Sequence, residues 1–157
     1  MTPGRSTDAP ILRQYTAVAI GGRAVLVKGK PGVGKTALAL CLIDRGAELI
    51  GDDGVALMVK PDGLWAAPPT ATQGKIELRN IGIAELPCVS APVGLTLRIV
   101  ENAPRFVEEA EWMSILDHPV PHLDISIGPA GPTLADAIRV EYALTLHGLR
   151  HEPATFV

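Results

Sequence analysis

The chain has only two cysteines, Cys41 and Cys88, among its 157 residues. Two cannot build a disulfide framework, and neither stands in a metal-type pair. No run approaches the ~18 consecutive apolar residues that a membrane helix needs. The opening residues, MTPGRSTDAP, lack the apolar core of a secretory signal. Neither sign of charge is in excess, since 14 basic and 17 acidic residues leave a net charge of −3. So mild an acidity gives no electrostatic reason for a nucleic-acid or anionic-membrane partner. A cytoplasmic protein is the expectation. Apolar residues are not scarce; at 47% hydrophobic the chain falls outside the composition of disorder. What it does have in excess is glycine (16) and proline (14), about 19% of the chain against a usual ~12%. That excess predicts many turns and argues against a long helical bundle. At ~100–200 residues per domain, the length predicts one.

The order of elements can be read from the pattern. Residues 1–10 and 151–157 read as tails, and 11–150 as a single domain. Two β-favouring runs, 16–20 and 24–28, are separated by Gly21-Gly22-Arg23, which predicts a hairpin. A helix follows, with Leu38, Leu42 and Ile43 on one face, Cys41 in its apolar middle and Gly46 ending it near Arg45. Residues 47–50 resume as a strand. Runs 55–59 and 64–67 flank Lys60-Pro61-Asp62-Gly63, a turn sequence that predicts a second hairpin. Residues 95–99 and 123–127 alternate as half-buried strands. Residues 104–116 read equally well as a short helix or an irregular connection. The last element is a helix in which Leu134, Ile138, Tyr142 and Leu146 recur every fourth residue. Thr133 and Asp136 form a capping-box-like start, and Gly148 ends it. The sum is a mixed α/β domain with two helices.

Between the second strand and the first helix lies Gly29-Lys30-Pro31-Gly32-Val33-Gly34-Lys35-Thr36, which fits the phosphate-loop pattern G-x-x-x-x-G-K-[ST] at every fixed position. The residue types follow from the chemistry. Glycines let the backbone curl so that N–H groups point inward at phosphate oxygens. The helix start adds the positive end of its dipole. Lys35 reaches the β- and γ-phosphates as a point charge, and the Thr36 hydroxyl is a Mg²⁺ ligand. A chain of this composition meets the pattern by accident roughly once in two hundred times. The strand before it and the helix after it give the context that such a loop requires.

Other polar residues carry two readings each. Asp52 and Asp53 end the next strand, and adjacent carboxylates on an extended chain point to opposite sides. One would then face Mg²⁺ and the other an incoming hydroxyl; yet Asp-Asp-Gly is also ordinary turn chemistry. Glu77, in Ile76-Glu77-Leu78-Arg79, could be a site residue, but a lone glutamate on a strand reads first as a solvated position. Arg105 follows a proline and reads first as a surface residue. His118 and His122 lie four apart, but two intervening prolines prevent the helix that would bring them to one metal.

Taken together, GKPGVGKTALALCLIDRGAELIGDDGVAL, the later APP and IELRNIGI resemble the catalytic C-terminal domain of bacterial HPr kinase/phosphorylase over about residues 13–147. The resemblance implies a P-loop-containing mixed sheet with flanking helices, like that of phosphoenolpyruvate carboxykinase, in a short form without the family's N-terminal domain. It implies an ATP- and Mg²⁺-dependent kinase that phosphorylates a serine of an HPr-type phosphocarrier of the phosphotransferase system. Weak phosphorylase activity and a homo-oligomer, commonly a hexamer, are implied with it. Asp52 would be the base; Asp53, Thr36 and Glu77 would sit by the metal; Arg105 would contact phosphate. The chain departs from the family at Gln14, where a histidine is usual, and at Pro31, where the loop usually has serine. It departs again at Asn80 and at Pro129-Ala130-Gly131-Pro132. A nucleotide-binding sensor without catalysis, or a kinase with another acceptor, are the alternatives these departures leave.

Overall fold

The computed structural model describes residues 9–150. Apart from residues 9 and 10, the tails expected at 1–10 and 151–157 lie outside the described residues. The elements are β1 (Ile11–Arg13), β2 (Thr16–Ile20), β3 (Arg23–Lys28), α1 (Lys35–Asp44), β4 (Glu48–Gly51), β5 (Val55–Lys60), β6 (Gly63–Ala67), β7 (Lys75–Leu78), β8 (Gly82–Glu85), β9 (Ala91–Ile99), β10 (Glu111–Ile115), β11 (His118–Ile125) and α2 (Leu134–His147). Residues 101–110 form the irregular connection that the sequence left open, and a strand, not a helix, follows it at β10.

Nine strands form one mixed sheet in the order β1-β5-β6-β9-β3-β2-β4, with β11 and β10 branching from β9. The long β9 makes the fork: its first residues pair with β6 and its last four, Thr96 to Ile99, pair with β11. Both hairpins expected from their glycine turns form, β2–β3 through Gly21-Gly22 and β5–β6 through Pro61-Asp62. Strands β3, β9 and β11 run parallel, with Lys28 beside Arg98 and Arg98 beside Asp124. β4 is separated from β3 by β2, with which it pairs antiparallel, so the neighbourhood of β4 is not a parallel sheet.

Two cores lie on opposite faces. Alternation places Ala17, Ala19, Ala24 and Leu26 on one face with Ile50, Leu57, Leu64 and Val120. Strand β4 approaches β6 although three strands separate them in the order, so the sheet curls round this core. The other face, with Val18, Val25, Val27, Leu95 and Leu97, is covered by Leu38 and Leu42 of α1 and by Ala137, Val140 and Leu144 of α2. Here the structure corrects the sequence. The fourfold stripe of α2 is largely solvent-facing, with Leu134 60%, Tyr142 62% and Leu146 72% exposed. A period of four drifts ~40° per step round a 3.6-residue helix, whereas Ala137, Val140 and Leu144, spaced by three and four, stay over the sheet.

Candidate functional site

The loop 29–36 leaves the end of β3 and turns directly into α1. Gly32 (φ 78°) and Gly34 (φ 111°) occupy left-handed backbone that a side chain would strain. Gly29 is needed for space, because a Cβ there would lie 2.8 Å from the Val33 Cγ1. The N-terminal end of α1 has no side-chain cap, so its first-turn N–H groups face the loop unengaged by one. Lys35 Nζ donates to the Gly29 carbonyl at 2.8 Å, which folds the lysine back across the loop it would share with a phosphate.

On the next strand but one, β4 ends at Gly51 and the chain reverses. A Cβ at Gly51 would sit 2.0 Å from the Gly54 carbonyl oxygen, so only glycine permits the turn. Asp53 takes φ 57°. The two aspartates are therefore not successive residues of an extended strand, as the sequence suggested; the turn gives each its own direction. Asp52 is half-buried and points at α1, where its Oδ1 accepts from the Thr36 hydroxyl at 2.8 Å and from the Thr16 hydroxyl at 3.3 Å. Thr16 also accepts from the Asp53 N–H at 3.1 Å, which pins the turn to the start of β2. Asp53 is exposed, and among the described residues Thr36 hydrogen-bonds Asp52 and not Asp53.

Thr16 was missed by sequence reasoning. Its one signal was a hydroxyl at the first position of an otherwise aliphatic strand, and nothing local says that β4 ends beside it. Glu77 lies on β7, in the separate two-stranded sheet β7–β8, and its side chain is exposed. Arg105 lies in the 101–110 connection and is also exposed. The structure thus brings together loop 29–36 and Asp52 and leaves Glu77 and Arg105 on flanking segments. Among the described residues no group of three or more His, Cys, Asp or Glu is placed to hold a metal. What stands at the loop is a pair of hard oxygens, Thr36 Oγ1 and Asp52 Oδ1, a donor set that suits Mg²⁺ completed by waters and phosphate.

Near the same end of the sheet, His122 is buried with both ring nitrogens engaged. Nδ1 is 2.8 Å from the Thr96 hydroxyl, and Nε2 is 3.0 Å from Asp124 Oδ1. Arg98 forks onto the same carboxylate at 3.2 Å through two nitrogens. The Arg98 hydrogen bond holds the Asp124 carboxyl below its ordinary value, against the upward push of burial and with help from His122. His122, which the sequence reading had set aside as a metal ligand, is a strand residue with two hydrogen-bond partners.

Residues 13–89 match the family described as "HPr Serine kinase C-terminal domain". The chain is 33% identical over 135 residues to the HPr kinase/phosphorylase of Clostridium kluyveri, covering 78% of this chain and 44% of that protein. To its counterpart in Clostridium novyi it is 31% identical over 155 residues, covering 90% and 50%. Among solved structures, the Hpr(Ser) kinase/phosphatase from Coxiella burnetii superposes with a TM-score of 0.74 at 26% identity, over 87% of this chain and 92% of that one. The fold and the loop-bearing site place the protein in a class of α/β domains with flanking helices. Within that class, residues 13–89 belong to the HPr serine kinase C-terminal domain family. The chain spans about half the length of the curated relatives it matches. No described helix is long and apolar enough to cross a membrane.

Proposed function

We propose that this chain is a kinase domain that transfers the γ-phosphoryl group of ATP, with Mg²⁺, to a serine of an HPr-type phosphocarrier. One observation carries the proposal. Two hydroxyls, from Thr36 and Thr16, converge on Oδ1 of Asp52, and among the described residues Oδ2 has no hydrogen bond. Asp52 is therefore held in place beside the phosphate loop with one oxygen free to accept a proton.

Bound Mg-ATP supplies the phosphoryl group and spreads its charge over the cation. The protein's part is positioning and charge. The glycine-curled backbone of loop 29–36 and the open start of α1 hold phosphate oxygens. Lys35, now on the Gly29 carbonyl, would hold phosphate, and Thr36 would offer its hydroxyl oxygen to the cation. Asp52 Oδ2 takes the proton from the seryl hydroxyl as that oxygen becomes a nucleophile. Asp53 and Glu77 are assigned to the cation, and Arg105 to phosphate, on the strength of the family motif. A cytoplasmic homo-oligomer, hexameric by the same resemblance, with phosphorolysis as a weak reverse reaction, completes the reading. Incubation with labelled ATP and a panel of purified phosphocarriers tests it. Phosphoserine on a carrier is the expected result, and ATP binding with no transfer to any carrier would favour the sensor reading.

A further inference from the structure

Residues 101–112 leave β9 beside the phosphate loop. A Cβ at Gly29 would lie 3.5 Å from Ile99, and Arg98 is the register partner of Lys28, the residue before the loop. The base of this segment is fixed. Val100 N–H donates to the Ile125 carbonyl at 2.9 Å, and Ala103 N–H donates to the Ser126 hydroxyl at 2.8 Å. The same hydroxyl donates back to the Val100 carbonyl at 2.8 Å. Beyond that clamp the side chains turn outward. Phe106 is 76% exposed, and Trp112, at the start of edge strand β10, is 64% exposed. Between them Glu108, Glu109 and Glu111 are all exposed, and none forms an ion pair among the described residues.

Apart from Arg105, the residue assigned to phosphate, the arm presents two aromatic side chains around three carboxylates, of which Glu111 alone acts electrostatically on a cation, Arg98; these suit neither the nucleotide nor its phosphates. Their charge has the wrong sign for either. A complementary surface is cationic and apolar. We propose that the arm 104–112 is the docking surface for the acceptor protein, and that it selects an acceptor whose target serine lies beside lysine or arginine and an apolar residue. This inference rests on the kinase reading above and adds to it the chemistry by which the acceptor is chosen. Phe106 is the apolar anchor, and Glu108 and Glu109 are the charged rim that steers the approach. Screening sharpens the consequence. Raising salt from ~0.01 M to ~0.15 M shortens the Debye length from ~30 Å to ~8 Å, so an acceptor recognised through this rim loses apparent affinity over that range.

The experiment measures phosphorylation of purified HPr by the full chain, by Phe106→Ser and by the double variant Glu108→Lys/Glu109→Lys. Leu146→Ser, which removes an equally exposed apolar residue on α2, is the control. HPr binding is followed in parallel by calorimetry. The KM for HPr should rise ~10-fold or more in both arm variants. The KM for ATP and kcat at saturating HPr should stay within about twofold, and Leu146→Ser should match the wild type. The salt dependence of KM should be lost in the lysine variant. An unchanged KM for HPr, or a fall in kcat alone, overturns the docking proposal and leaves the kinase reading intact. HPr binding that depends on the arm but yields no phosphoserine supports the docking surface and overturns the kinase reading. Absence of both binding and transfer overturns both. If sedimentation shows the arm variants dissociating an oligomer while KM is unmoved, the arm is an interface between copies of this chain and the proposal fails.

Discussion

The two helices of this domain begin in opposite ways. α2 starts with a complete capping box: the Asp136 N–H donates to the Thr133 hydroxyl at 3.4 Å, and the Thr133 N–H donates to Asp136 at 2.9 Å. Asp136 also takes Arg139 one turn on, so the negative charge at that positive helix end is itself paired. α1 starts from a left-handed glycine, Gly34, with no side-chain cap and no acidic residue in its first turn. Every orphan N–H that α2 satisfies internally, α1 leaves for something else. A capped start costs the helix nothing further and belongs to the scaffold. An open start is a loss of ~1 kcal/mol or so that makes sense where a ligand replaces the cap. Both helices pack on the same core face, so the contrast does not come from their covering different sides of the sheet.

The sharpest way to break that contrast is at the residue facing the open start. Asp52→Asn keeps the shape and can still accept from Thr36 and Thr16, but it removes the proton acceptor. Transfer to the carrier should fall by ~10²–10⁴ while ATP still binds. The isosteric change at the neighbouring residue, Asp53→Asn, is tolerated at φ 57°, because asparagine visits left-handed backbone readily. It should act on the Mg²⁺ dependence of turnover and spare the proton step. If the two variants exchanged these phenotypes in a kcat and Mg²⁺ titration, the roles of the pair would be reversed.

Next in size is Lys35→Ala. It withdraws the point charge from the open start and leaves backbone amides alone. Losing one member of a buried charge pair costs ~2–5 kcal/mol, so the Kd for Mg-ATP should rise at least ~30-fold by calorimetry. Alanine is a good first-turn residue, and the melting temperature should hold. An unchanged Kd would remove the loop from nucleotide binding altogether.

How far these features could be read without coordinates depended on whether they were local. The loop, its flanking strand and helix, both hairpins and the capping box of α2 are short-range patterns, and each appeared where its residues placed it. The motif set Asp53 beside Thr36, but the structure gives that contact to Asp52, and the other partner of Asp52, Thr16, could not be read from the sequence. That contact exists only because β2 lies between β3 and β4, an ordering set by sheet topology and invisible to periodicity. The chain of hydrogen bonds from buried Thr96 and His122 through Asp124 to exposed Arg98 was hidden for the same reason, since its members come together through the parallel register of β9 and β11. The stripe on α2 was misread for another cause. Leucine and tyrosine at every fourth position look like a buried face, yet the small residues Ala137 and Val140 allow the helix to approach the sheet on the other side.

A smaller effect separates the two helix starts in stability. Thr133→Ala removes the hydroxyl that caps α2, which should cost ~1 kcal/mol in denaturant unfolding and leave ATP binding and transfer unchanged. If opening this second helix start created measurable phosphate binding, an uncapped N-terminus would be sufficient by itself, and the curled glycine loop and Lys35 would not be what distinguishes α1.

The smallest effect is in pH. Burial of Asp136 pushes its carboxyl up, but the hydrogen bonds from Arg139 and from the Thr133 N–H and hydroxyl outweigh that, and the net position lies below the ordinary aspartate value. A carboxylate held low binds fewer protons folded than unfolded. Its contribution to stability is therefore complete above the unfolded value, near ~3.9, and is lost as the pH falls through the folded one. Asp124, held low first by Arg98, adds a second group of the same sign and must be separated from it. The separation comes from comparing the wild type with Asp136→Asn, which retains most of the shape of the capping box without the titrating group. Between about pH 5 and pH 3 the wild type should lose more unfolding free energy than the variant, so the two stability curves converge toward acid. Parallel curves over that range would show that the cap is held by geometry alone and that the charge at the start of α2 contributes nothing, leaving Asp124 to account for any acid lability that remains.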